Sequence, residues 1–155
     1  MALRETTYTI PDGEDAGKVF VITRMPAMQA DRWARHLVKA LTRAGMALPP
    51  DAMEIGLSGL GGMAQAMFGQ LEDEAADKAL DALMATVKIQ RDPNNPASRG
   101  QIIDADLEDP ETLPRLQAEA FRMHLGFFKA AAYLISPLVQ MLVPQAASDK
   151  PQPAA

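Results

Sequence analysis

The sequence predicts an α+β fold, mainly helical, with an N-terminal β-hairpin followed by about four helices and a short second hairpin near 88–103. Three observations lead there. Thr6 to Ile10 and Lys18 to Thr23 are rich in Thr, Val, Ile, Tyr and Phe and flank a loop containing Gly13 and Gly17, the pattern of two strands joined by a turn. Three later stretches repeat apolar residues at helical spacing. A chain of 155 residues suits one domain that can bury a real core without staples.

After the hairpin, Pro26 opens a helical pattern over about Met28 to Ala44. Trp33, Leu37 and Leu41 share one face, Arg32, Arg35, His36, Lys39 and Arg43 lie largely opposite, and Gly45 closes it. Pro49 and Pro50 forbid its continuation. A second helix capped by Asp51 is expected to be the least stable, because Gly56, Gly59, Gly61, Gly62 and Gly69 interrupt its apolar series and each interior glycine costs about 1 kcal/mol against alanine. Asp73 is read as the cap of a third helix with the stripe Ala76, Leu80, Leu83, Met84 and Val87. Pro93-Asn94-Asn95-Pro96 marks a turn, across which Lys88 to Arg91 would pair with Gln101 to Ile103. Asp109-Pro110-Glu111 reads as the start of a last helix, with Leu116, Ala120, Met123, Phe127, Ala131 and Leu134 on one stripe and an end near Pro137. Trp33, Leu37, Leu41, Leu80, Leu83, Leu116 and Phe127 are the expected core. Residues 1–144 form one globular domain in this reading, and the Ala-, Pro- and Gln-rich residues 145–155 a disordered tail.

Composition narrows the function. Net charge is −5, which leaves no basic footprint for nucleic acid. Cysteine is absent, so disulfides and thiolate metal sites are excluded and a reducing compartment fits. The first residues lack the apolar segment of a secretory signal. Leu125 to Val143 is apolar, but Lys129 and Pro137 interrupt it, and a buried or partner-covered helix is the better reading.

Catalytic chemistry finds little support. Gly59-Leu60-Gly61-Gly62-Met63-Ala64 matches a dinucleotide fingerprint formally, but a proline pair and a helical pattern precede it where the mechanism requires a strand. His36 and His124 have no ligand partner at helical spacing, and His124 is expected to be a semi-buried, hydrogen-bonded core residue. Glu72/Asp73 and Asp104/Asp106/Glu108 read as solvated caps. The basic face of the first helix and the acids from Glu72 to Asp81 are complementary, and two independently solvated faces are the preferred reading. No enzyme activity, cofactor or metal is expected.

The ten methionines are more informative, since methionine surfaces repack around varied apolar partners. Core filling and a plastic partner face both fit. For the partner face the candidate residues are Leu57, Leu60, Met63, Met67 and Phe68 in the Gly/Met-rich segment, with Phe121, Leu125 and Phe128 in the last helix.

Val19 to Ala27 running into Gln29 to Ala34, then Asp92 to Pro96, then Phe121 to Phe128 resemble the tail assembly chaperones encoded in the tail modules of tailed phages and prophages. The similarity covers about Thr7 to Phe128. It implies a protein that binds the long helical tape measure protein, keeps it soluble while the tail tube assembles in the host cytoplasm, and is absent from the mature virion. The tail tube protein and a second copy of the chain are further candidate partners; nucleic acid and membrane are not. The alternative is a minor structural or tail-completion protein retained in the particle.

Overall fold

The computed structural model describes residues 4–45 and 68–142, with side chains described as far as Ala132. Two layers make up the fold: a four-stranded antiparallel sheet in the order β1-β2-β3-β4, and three α-helices.

Strands β1 (Glu5–Thr9) and β2 (Val19–Thr23) form the expected hairpin, paired from Glu5 opposite Thr23 to Thr9 opposite Val19. Strand β3 (Val87–Gln90) then pairs with β2, and β4 (Arg99–Gly100) with β3. The two hairpins are therefore one sheet with β2 inside it. The sequence reading places the last strand at Gln101 to Ile103; it forms earlier, at Arg99–Gly100. The turn after β3 runs through Ser98, and β4 follows it directly. Asn94 N–H bonds to the Asp92 carboxylate at 3.0 Å and Asn95 accepts from Ala97 N–H at 3.0 Å, so local turns hold the connection down to Ser98.

Phe20 and Ile22 stand opposite Ile89 and Val87, and all four belong to the core beneath the helices. This is the period-2 placement of a strand with one face on a helical layer.

Helix α1 (Ala27–Arg43) runs as read, with Ala30, Trp33, Ala34, Leu37, Val38 and Leu41 buried. Gly45 ends it at φ +79° and donates to the Thr42 carbonyl at 3.0 Å, a left-handed turn that glycine adopts without steric cost. Helix α2 (Asp73–Met84) begins at Asp73, with no side-chain cap. It buries Ala79 and Leu83, while Leu80 is only half-buried. Helix α3 (Thr112–Leu142) starts later than the Asp109 reading and continues through Pro137. Asp109 instead closes the turn before it, its carboxylate accepting from Glu111 N–H at 2.9 Å and its carbonyl from Thr112 N–H at 3.1 Å.

The described residues thus hold three α-helices, not about four, and a larger sheet than expected. The Asp51 helix, the Gly59 to Ala64 motif and the 145–155 tail lie outside them. Among the described residues, no helix is long and apolar enough to cross a membrane.

The core face of α3 is Leu116, Ala120, Phe121, His124, Phe128, Ala131 and Ala132. Met123 and Phe127 flank it half-buried. Leu116, Ala120 and Ala131 of the expected stripe are buried, but between them His124 and Phe128 take the core positions read for Met123 and Phe127, because the apolar pattern passes over a histidine. Arg24 lies over the Phe127 ring, 5.5 Å from the centroid, a cation–π contact at the edge of the core.

Candidate docking groove

Three side chains lock the helices to each other and to the segment between β2 and α1. Trp33 of α1 donates its indole N–H to the Ala79 carbonyl of α2 at 3.2 Å. Its ring meets Phe121 edge-on at 6.2 Å and His124 at 5.7 Å. His124 is fully buried. Its Nε2 accepts the Met25 backbone N–H at 2.9 Å, and its Nδ1 lies 2.7 Å from the Ala120 carbonyl. That pairing fixes the neutral tautomer with the proton on Nδ1. Burial holds His124 below the ordinary histidine value, against the opposing pull of the Ala120 carbonyl. The expectation of a hydrogen-bonded core histidine is met, with deeper burial than supposed.

Where α1 and α2 meet, a groove of about 240 Å³ is left between them. It is lined by Trp33, Leu37 and Ala40 from α1, by Ala75, Ala79 and Ala82 from α2, and by Met25. The three alanines recur at i, i+4 and i+7, and their small side chains leave the trough. Arg32 and His36 border it from α1, and Lys78 from α2. Desolvation, then Arg35, Lys78, Lys39 and Arg32, hold His36 below the ordinary histidine value. Asp31, the one acid of α1, pairs with Arg35 at 2.9 Å. Among the described residues no ion pair joins α1 to the acids of α2, so their faces are solvated separately.

Sequence reasoning missed this groove because it followed the large residues of α2. The signal was the second stripe, Ala75, Ala79 and Ala82, which turns to α1.

The candidate partner residues are placed differently. Leu57, Leu60, Met63 and Met67 lie outside the described residues. Phe68 is half-buried, edge-on to Phe121 at 6.2 Å. Phe121 and Phe128 are fully buried, 5.4 Å apart, and Leu125 is half-buried against the same core. In this fold Phe121 and Phe128 face inward and belong to the core. Aromatic area of that size is held inside by the helix and sheet contacts around it.

A second buried polar centre was also missed. Asp15, in the β1–β2 loop, is fully buried. It accepts from Lys18 Nζ at 2.7 Å, Glu108 N–H at 3.1 Å, Asp109 N–H at 2.9 Å and Thr112 Oγ1 at 2.5 Å. Burial would raise its carboxyl, but the bonds from Lys18, Thr112, Asp109 and Glu108 hold it far below the usual carboxylate range. Lys18 also donates to the Asp106 carbonyl at 2.8 Å. Asp106, read as a solvated cap, is tied by its carboxylate to Arg91 and to Ile103 N–H, both at 2.9 Å. Every lone pair so engaged is structural: the cluster clasps the first hairpin to the start of α3. Among the described residues, no group of acids and histidines could hold a metal ion.

A larger depression of about 450 Å³ lies between α2, β3 and the 101–107 loop, with Asp81, Asp104 and Lys88 on it. Its mixed charges define no single ligand sign.

Comparison with known proteins gives one finding. A family model described as phage tail assembly chaperone protein, TAC, matches residues 16–149. No curated protein and no solved structure matches the chain. The match spans most of the 155 residues, and the chain belongs to the phage tail assembly chaperone family.

Proposed function

We propose that this protein is a non-enzymatic chaperone that binds the tape measure protein of its phage and keeps it soluble in the host cytoplasm while the tail tube assembles, and that it is absent from the finished particle. The observation that carries this reading is the apolar groove between α1 and α2, in a chain of the tail assembly chaperone family. A holdase needs apolar surface it can offer, little chemistry of its own, and enough charge to stay in solution. The groove supplies the first, and a net charge of −5 the last.

Co-expression tests it. The tape measure protein is expected to accumulate in the soluble fraction with this chain and to aggregate without it. Equal solubility in both cases would contradict the proposal. Mass spectrometry of purified particles is expected to find the tape measure protein and not this chain; finding it at stoichiometric level would favour a structural tail protein.

A further inference from the structure

We propose that the groove between α1 and α2 receives an amphipathic helix whose apolar stripe is flanked by acidic residues, and that this helix belongs to the tape measure protein. The identity of the partner rests on the function proposed above; the class of ligand rests on the groove itself.

The sign of the rim comes first. The chain is acidic overall, yet among the described residues the charged groups lining this groove are Arg32 on the α1 side and Lys78 on the α2 side, with neutral His36 between further cations of α1. None of the four acids of α2, Asp73, Glu74, Asp77 and Asp81, is among the residues that line it. Cations on both walls fit carboxylates on both flanks of an apolar insert, and repel a basic one.

The lining decides the backbone. Both walls are helices, whose own N–H and C=O groups are paired internally. An extended peptide laid here would lose water from its backbone and gain no partner, whereas a helix arrives already satisfied. At about 240 Å³ the trough is smaller than the roughly 300–1,000 Å³ pockets that enclose small molecules. It suits a few anchoring side chains from a helix lying along α1 and α2. Ala75, Ala79 and Ala82 allow that helix a close approach.

The test uses the full chain, co-expressed with the tape measure protein, as wild type and as the Arg32→Glu/Lys78→Glu variant. Arg32 and Lys78 are exposed, so circular dichroism and Tm should be unchanged. The variant is expected to retain at least tenfold less tape measure protein. An Arg32→Gln/Lys78→Gln variant should lose less. Two synthetic helical peptides complete the test, each with leucines at i, i+3, i+7 and i+10, one flanked by glutamates and one by lysines. Wild type should prefer the first and the charge-reversed variant the second. Undiminished retention by the reversed variant overturns the groove and leaves the chaperone reading standing. No retention by wild type overturns both. Loss of self-association in the reversed variant would give the groove to a second copy of the chain, and overturns the proposal.

Discussion

The imidazole Nε2 of His124 accepts the backbone N–H of Met25 at 2.9 Å, tying the segment between β2 and α1 to the middle of α3. Met25 also lines the groove, so the bond ties part of that lining to the core. Replacing His124 by Leu leaves that buried N–H without an acceptor, a loss of about 1–3 kcal/mol. For a domain of this size each kcal/mol lowers Tm by about 2–4 °C. His124→Gln offers a carbonyl oxygen to the same N–H and should cost less. Thermal unfolding of the two variants beside wild type checks the order.

Stability is expected to fall in two steps on acidification. The buried His124 ring resists protonation in the folded protein, while the unfolded chain takes its proton near the ordinary value of 6.5. Its contribution is therefore complete above about pH 6.5 and declines as pH falls below it. Asp15 is held ionised when folded, so its contribution begins to fade only below its ordinary 3.8. Tm measured from pH 8 to pH 3 should show both declines. His36 shifts in the same direction as His124. His36 is exposed, so solvent screens its contribution, whereas His124 is fully buried; the upper decline should shrink in His124→Gln and persist largely in His36→Gln.

Asp15→Ala removes a buried acceptor that serves Lys18, Glu108, Asp109 and Thr112. Breaking a buried charge pair costs about 3–5 kcal/mol, and the low end applies because the Lys18 side chain is 30% exposed. Lys18→Met should cost less, since three other donors still hold Asp15. Urea unfolding of the pair and of the double variant measures the coupling.

Two loop glycines separate strain from crowding. Gly13 and Gly17 have φ of +85° and +87°, which costs a side-chain residue about 1–3 kcal/mol. A Cβ on Gly17 meets open space, while one on Gly13 would run into the Asp109 carboxylate, which accepts Glu14 N–H at 3.1 Å. Gly13→Ala should therefore destabilise more than Gly17→Ala in urea unfolding.

Local pattern made the first hairpin and α1 legible, because Val19 to Thr23 and the Trp33, Leu37, Leu41 series each have one dominant period. Long-range pairing hid the rest. Nothing in Val87 to Gln90 names β2 as its partner rather than β4 alone. The outer parts of the α3 face, Leu116, Ala120 and Ala131, were legible, but its middle was not, because the buried His124 ring is satisfied by the Met25 N–H, ninety-nine positions earlier in the chain. Asp15 reads as one more turn residue until its donors from Glu108, Asp109 and Thr112 arrive. The candidate site suffered similarly. Large residues such as Phe121 and Phe128 look like binding anchors in a sequence, but they fill the core, and the open groove is lined partly by alanines.

Calorimetric titration of the purified chain with overlapping helical fragments of the tape measure protein tests the central claim most directly. Saturable binding of at least one fragment is expected, with the negative heat-capacity change of apolar burial and weaker affinity at higher salt. No binding heat and no co-elution for any fragment across the whole tape measure sequence would contradict it.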